Sequence, residues 1–248
     1  MMQKAWQRLL LSSGAIFFKF RNFLFPIFVI ILLVFTRPAL AMARSDVDTF
    51  VIIAGCAIAL LGGLFRLFVI GFAYIKRGGK DGRVYADDLV TGGVYAHVRN
   101  PMYIGNFLII VGMGMMYGSM WIYALVIPFF AFVYLSIVVT EEDYLKKRFG
   151  QGFEAYCKKV NRFIPNFSGF GKTLSEFSYD WKKAIRKDYG TFFGVLIGCY
   201  IIWLRKMQYS YGVTFTGNKT FLLLLPLVIV ALLYSWVRVL KKRGSLRS

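Results

Sequence analysis

The chain has 248 residues, 58% of them hydrophobic and 18% aromatic, and a formal net charge of +19. That apolar share exceeds what a soluble domain uses and is gathered in long blocks, so the composition points to a membrane protein. The charge would suit nucleic acid, but no arginine-rich arm or basic-aromatic repeat accompanies it, and basic loops lying against anionic lipid account for it.

In chain order, the first apolar block covers residues 23–43. Lys4, Arg8, Lys19 and Arg21 precede it, together with an amphipathic pattern of Trp6, Leu9, Leu10, Phe17 and Phe18. A basic start, an apolar run and Ala39-Leu40-Ala41-Met42-Ala43 imitate a secretory signal with its cleavage site. The long patterned stretch ahead of the run favours an uncleaved anchor instead. The second block, residues 50–75, is interrupted by Arg66 and followed by Lys76, Arg77, Lys80 and Arg83. Two blocks at 102–117 and 120–140 make a helical hairpin, and a basic segment runs from 141 to 188. Within it Leu174, Phe177, Trp181 and Ile185 oppose Lys182, Lys183, Arg186 and Lys187, the spacing of a helix lying on the membrane surface. Blocks at 189–204 and 221–239 follow, and Lys241, Lys242 and Arg243 come after them.

These blocks predict an all-α, polytopic transmembrane bundle of about six spans with an interfacial amphipathic helix. The blocks at 102–117 and 189–204 are shorter than the ~20 residues a crossing needs, so they are expected partly in the interface. The positive-inside rule sends the basic segments and both termini to the cytoplasm. The near-neutral turns at 37–49 and 117–119 then face outward, with Arg205, Lys206 and Lys219 as a mild violation. The organisation expected is an interfacial helix and two spans over 1–88, a core with a helical hairpin over 89–166, and an amphipathic helix with two more spans over 167–248.

Cysteine and histidine contribute little. Cys56, Cys157, Cys199 and His97 show no metal-ligand spacing, and nothing in the sequence supports Cys157 with His97 as a nucleophile pair. The informative stretch is residues 89–105, Leu-Val-Thr-Gly-Gly-Val-Tyr-Ala-His-Val-Arg-Asn-Pro-Met-Tyr-Ile-Gly. Asn100-Pro101 reads as a helix cap, and such a start at a membrane surface also leaves backbone N–H groups for an anion. Glu141-Glu142-Asp143 follows an apolar span, where a helix C-terminus disfavours anions. The mismatch calls for a nearby cation, either a bound amine or sulfonium or a side chain such as Arg99. Arg66 inside an apolar block is costly, at least ~2.5 kcal/mol near a helix centre, and is functional by default. Its alternative is snorkelling toward the end at Lys76.

Leu89 to Tyr95, Val98-Arg99-Asn100-Pro101-Met102-Tyr103-Ile104-Gly105, Glu141-Glu142, Leu145, Phe149-Gly150, Tyr156, Val160 and Phe163-Ile164-Pro165 together resemble the core of the isoprenylcysteine carboxyl methyltransferases and their bacterial relatives. The phospholipid methyltransferases are similar in the same region. The resemblance implies S-adenosyl-L-methionine as methyl donor in a cytoplasmic site. The implied cofactor contacts are Leu89, Val90, Tyr95, Asn100, Pro101, Met102, Tyr103, Glu141 and Glu142, with Glu141 neutralising the donor's amino group. Tyr95 and Tyr103 would pack on the adenosine or the sulfonium, and backbone N–H groups by Asn100 would take the carboxylate. Arg66 and Arg99 are the candidate catalytic residues, Arg66 orienting an anionic head group or pairing with Glu141 or Glu142.

Two departures bear on the substrate. Asn100 stands where the prenylcysteine enzymes carry histidine, and Ile137 where they carry an arginine. The expected acceptor is therefore a lipid or lipid-modified molecule, a phospholipid amine or another lipid nucleophile ahead of prenylcysteine, and the expected location a bacterial inner membrane. The expected reaction is direct displacement, with alignment and desolvation lowering the barrier and His97 the one nearby candidate base. A sterol-type membrane reductase using NADPH is the alternative enzyme class, which Glu141-Glu142 opposes. A non-catalytic membrane scaffold is the third reading. Oligomeric state is not legible.

Overall fold

The structure, a computed structural model, describes residues 2–40, 44–72, 77–80, 83–176, 178–215 and 218–246. Among the described residues eight α-helices carry the fold: α1 (Met2–Phe35), α2 (Ser45–Phe72), α3 (Pro101–Tyr117), α4 (Ile127–Phe149), α5 (Gln151–Lys159), α6 (Phe170–Glu176), α7 (Trp181–Ser210) and α8 (Asn218–Lys242). A two-stranded antiparallel hairpin, β1 (Arg77–Lys80) and β2 (Arg83–Ala86), follows α2 with Arg77 opposite Ala86. The sequence pattern contains no sign of it. The expected all-α class stands, with this small hairpin as an addition.

Four helical stretches are long and apolar enough to cross a membrane: Ser45–Phe72, Ile122–Phe149, Trp181–Ser210 and Phe221–Lys242. The apolar helix Pro101–Tyr117 is shorter. The protein is thus an integral membrane protein with four candidate spans among the described residues.

Several boundaries differ from the sequence pattern, each for a local reason. α1 is one helix that joins the amphipathic start to the apolar block, and it stops at Phe35 rather than running to 43. Pro38 disfavours helical backbone at the residue before it and lacks an N–H to extend the helix. Residues 41–43 lie outside the described residues. α4 does not end at Thr140; it continues through the glutamates to Phe149, with Lys146, Lys147 and Arg148 in its last turn. Those cations suit the negative end of the helix dipole, so the mismatch assumed for Glu141 and Glu142 does not exist. The single amphipathic helix expected across 174–187 is instead a break, with Phe177 outside the described residues. Asp180 caps α7 by accepting from the Lys183 N–H at 2.9 Å, and α7 then runs unbroken for 30 residues.

The chain divides into two units. The first comprises 1–36, 72–103 and 128–178, the second 37–71, 104–127 and 179–248.

In the first unit, α1 packs tightly on α4. Gly14 faces Ser136 O and Thr140 Oγ1 with no space for a Cβ, and Ser13 Oγ donates to Ser136 Oγ at 3.3 Å. Phe17 meets Phe129 and Phe132 edge-on at 6.2 and 6.1 Å. A buried cluster of Phe18, Tyr103, Val133, Ile137 and Val138 lies under that seam. A second cluster joins Ala86, Leu145, Phe153, Tyr156 and Val160.

In the second unit, glycines let α2 and α3 approach backbone to backbone. A Cβ on Gly55 would stand 2.6 Å from Gly112 O, and one on Gly62 would stand 2.7 Å from Gly105 O. Both pairs are seven residues apart on each helix, the antiparallel register that small residues favour in membranes. α8 rests on α7 through Tyr200, whose hydroxyl donates to Leu223 O at 2.7 Å, and through Tyr234, packed on Tyr189 and Phe193. None of the apolar stretch of α8 is buried within the protein, as a lipid-facing helix requires.

Candidate functional site

The site in the first unit is built around two consecutive glutamates on α4. Successive helix residues point about 100° apart, so Glu141 and Glu142 face different neighbours.

Glu142 is enclosed by cations. Arg99 Nε donates to its Oε1 at 3.0 Å, and Arg162 donates to its Oε2 through Nε at 3.0 Å and Nη2 at 2.7 Å. Asn100 Nδ2 donates to Oε1 at 3.0 Å. Arg99 Nη2 also donates to Oε2 at 3.5 Å, while its Nη1 goes to main chain, to Cys157 O at 3.1 Å and to Val160 O at 2.8 Å. The Arg99 N–H also donates to Asn161 O at 2.9 Å. Charge-assisted bonds of this kind hold a buried carboxylate that would otherwise be costly. Together they lock residues 97–100 and 157–162 to α4.

His97 completes that lock. It is buried, with Nδ1 2.6 Å from Asn166 O and Nε2 2.8 Å from Thr173 Oγ1, while its carbonyl accepts from the Asn166 N–H. Phe170 meets the ring edge-on at 5.0 Å. Its two nitrogens are thus committed to structure, which argues against the general base considered for it. Burial pushes the Cys157 thiol above its ordinary value, the opposite of an activated nucleophile.

Glu141 faces a different set of neighbours. Tyr103, in the first turn of α3, donates its hydroxyl to Oε1 at 2.7 Å. Arg21 of α1 comes no nearer than 3.7 Å, with its side chain 35% exposed. The Arg21 guanidinium lies over the buried Phe18 ring at 4.1 Å.

The other candidates sit close by in sequence. Gly93 adopts φ 61°, which opens the 3-10 turn Gly93–Ala96. Tyr95 is buried there, and its carbonyl accepts from the Tyr156 hydroxyl at 2.6 Å. Leu89 packs on the Leu145–Tyr156 cluster. Pro101 opens α3 and is buried, while Val90 and Met102 are half-buried. Ile137 is 1% exposed, packed with Phe18 and Tyr103.

Arg66 belongs to the second unit. Asp188 of α7 takes its Nε at 2.9 Å and Nη2 at 2.5 Å, and Asn106 Oδ1 accepts from Nη1. Thr191 backs Asp188 at 2.9 Å. The carboxylate that Arg66 pairs with here comes from α7, and the guanidinium is bound on both sides. A second ion pair in this unit, Lys206 with Asp48 at 2.6 Å, is fully buried, and Tyr211 donates to Asp48 at 3.0 Å. Lys206 is therefore not a loop charge breaking the orientation rule. Among the described residues no group of three His, Cys, Asp or Glu side chains could hold a metal ion.

Sequence reasoning passed over Arg162, Asp188 and Arg21. Asp188 left a signal: it is a lone acid in a run of bases. Arg162 stands inside the motif, between Val160 and Phe163. Arg21 was indistinguishable from the orienting charges beside it.

Residues 50–152 match the phospholipid methyltransferase family, so the resemblance read from the motifs holds over that segment. The chain is 35% identical over 83 residues to the nickel-cobalt-cadmium resistance protein NccN of Alcaligenes xylosoxydans xylosoxydans, covering 34% of this chain and 38% of that protein. It is 42% identical over 81 residues to the protein-S-isoprenylcysteine O-methyltransferase of Schizosaccharomyces pombe, covering 31% and 33%. It is 35% identical over 80 residues to the cobalt-zinc-cadmium resistance protein CzcN of Cupriavidus metallidurans, covering 32% and 37%. The matches thus span little more than a third of each of these relatives. No solved structure matches the chain.

Proposed function

We propose that the chain is an S-adenosyl-L-methionine-dependent membrane methyltransferase acting on a lipid or lipid-modified acceptor. The observation that carries this reading is Glu141: a buried carboxylate that accepts from the Tyr103 hydroxyl and lies 3.7 Å from Arg21, beside the motif of residues 89–103. Such a carboxylate fits a cationic ligand group. When bound, the donor supplies a methyl group already activated on a positive sulfur.

The residues that would hold the donor are Leu89, Val90, Tyr95, Pro101, Met102, Tyr103 and Glu141. Arg99, Asn100 and Glu142 act in this reading as positioning residues, because their polar atoms are bonded to one another and to the main chain. Arg66 likewise ties α2 to α7. The chain's work is then alignment and exclusion of water, which suits a displacement that needs little else from the protein. Ile137, sealed in the apolar cluster, leaves no cation at that turn of α4, which disfavours the prenylcysteine carboxylate as acceptor. In this reading the positive-inside rule puts the basic segments, and with them the site and both termini, on the cytoplasmic side. α3 and the apolar half of α1 would bring the four candidate spans to six.

The test is equilibrium binding of S-adenosyl-L-methionine to the detergent-purified protein, beside NADPH and beside Glu141→Ala. Saturable donor binding, weakened more than about tenfold in a still monodisperse variant, is the expected outcome. NADPH binding in its place would sink the reading. Labelled-methyl transfer into fractionated lipid then identifies the acceptor.

A further inference from the structure

The geometry points to a site for a soft cation of the Cu(I) class within the second unit, formed by the thiols of Cys56 and Cys199 and the thioether of Met113. The site is independent of the methyltransferase reading and shares no residue with the surroundings of Glu141 and Glu142. Its three sulfurs are far apart in sequence and come together because α2, α3 and α7 pack on one another.

The register of α2 on α7 brings the two thiols to one level. Gly63 of α2 faces α7, where an added Cβ would meet Phe192 at 3.4 Å and Val195 at 3.9 Å. Seven residues are close to two helical turns, so a helix repeats its face at that spacing. Seven back from Gly63 stands Cys56, and seven on from Phe192 stands Cys199. The two helices run antiparallel, which makes those positions opposite one another. The ion pairs Asp48–Lys206 and Arg66–Asp188 fix the same register on either side. The Cys199 thiol is accordingly hydrogen-bonded to Cys56. Cys199 lies on the buried stripe of α7, with Val195 and Ile202.

α3 supplies the third sulfur. It packs on α2 through Gly55 and Gly112, the residues before Cys56 and Met113. A Cβ on Gly198, the residue before Cys199, would stand 2.7 Å from Met113 Cε and 3.5 Å from its Sδ. The missing side chain is what lets the buried thioether lie along α7 there. Each of the three helices thus carries a glycine followed by a sulfur residue: Gly55-Cys56, Gly112-Met113 and Gly198-Cys199.

Sulfur alone selects the ligand class. Thiolate and thioether favour soft cations such as Cu(I), whereas Zn(II) in structural sites takes four ligands. Among the described residues no third His, Cys, Asp or Glu stands with the two thiols to complete such a set. Charge then fixes the protonation. Both cysteines lie in candidate spans, where a net charge is costly, so the complex that forms is neutral. One thiol loses its proton to solvent, the thiolate and the Met113 thioether bind the ion, and the second thiol stays protonated beside them. One positive charge enters, one proton leaves, and no electron moves. Cysteines that served as small apolar packing would need neither the thiol–thiol bond nor a thioether laid beside it.

The test titrates Cu(I) into the full-length, reduced protein in detergent under anaerobic conditions, in competition with bathocuproine disulfonate, and follows proton release in weak buffer. One Cu(I) held per chain, one proton released and an all-sulfur shell by X-ray absorption are expected. Cys56→Ser and Cys199→Ser should each lose the ion, and Met113→Leu should weaken it by about tenfold or more. Cys157→Ser should bind as wild type does. Cys199→Ala, which buries no hydroxyl, takes the place of Cys199→Ser if that variant does not fold, with the thermal midpoint as the check. No retention by wild type, or retention by a folded Cys199 variant, overturns the site. Two protons released per ion would mean an anionic dithiolate and overturn the neutral complex, and an undiminished affinity in Met113→Leu would remove the thioether from it.

Discussion

Adjacent carboxylates on one helix do different work here because the helix turns them toward different partners. Glu142 answers two arginines and an asparagine, and its loss would leave the buried Arg99 without its counter-charge. Removing one partner of a buried pair costs about 3–5 kcal/mol, against about 1 kcal/mol or less for an exposed one. Glu142→Ala is accordingly expected to lower the thermal midpoint steeply in detergent. Arg162→Ala, at a side chain 41% exposed, should lower it far less than Arg99→Ala, at 11%. Equal shifts would show that the network is not organised around Arg99. A second outcome concerns Cys157. Burial holds its thiol above the ordinary value, so its thiolate is scarcer at neutral pH than that of a free thiol. Alkylation followed by mass spectrometry should label it slowly near pH 7 and progressively faster as pH rises through and beyond the usual thiol range. Fast labelling at pH 7 would contradict the burial.

At the level of elements, α2 and α7 form an antiparallel pair joined by two ion pairs of opposite polarity. Asp48 and Arg66 of α2 meet Lys206 and Asp188 of α7, eighteen residues apart on each helix. At 1.5 Å per residue that is about 27 Å, close to the thickness of a bilayer's apolar core. Reversed polarity allows one register only, since a slip would bring like charge or an unpaired charge into the interior. Asp48→Asn or Lys206→Met alone should cost about 3–5 kcal/mol. The swapped double variant Asp48→Lys with Lys206→Asp should recover part of that in a thermal-unfolding assay, and no recovery would remove the register argument. The α2–α3 seam has a different weakness: Gly62→Val forces a side chain against Gly105 O, which would lie 2.7 Å from the new Cβ. Helices must separate to admit it, so monodisperse yield should fall sharply, while Gly190→Ala, where nothing lies within 4 Å, should leave it unchanged.

For the molecule as a whole, the segment matching the family is not a self-sufficient piece. Residues 50–152 contribute to both units, and Arg66 within that segment depends on Asp188 beyond it. A chain ending at Ser178 keeps every matched residue yet removes the ion-pair partners of Asp48 and Arg66, Lys206 and Asp188. It should fail to yield monodisperse protein by size exclusion in detergent, and a well-behaved truncation would show that α7 is dispensable.

Hydrophobic blocks and motif order made the membrane character, the helical class and the methyltransferase resemblance legible from residues alone, because bilayer thickness and cofactor chemistry impose patterns that are local in sequence. Helix limits were less legible. α4 passes through Glu141-Glu142-Asp143 without pause, since long charged side chains are good helix formers once their partners are supplied by other segments. What only the tertiary structure decided is the partner of each charge: Arg66 with Asp188, Asp48 with Lys206, Glu142 with Arg99 and Arg162, Arg21 beside Glu141. These pairs join residues between 20 and 158 positions apart. Composition and periodicity record that a charge is present in an apolar stretch, but its counter-charge is chosen by how the helices pack.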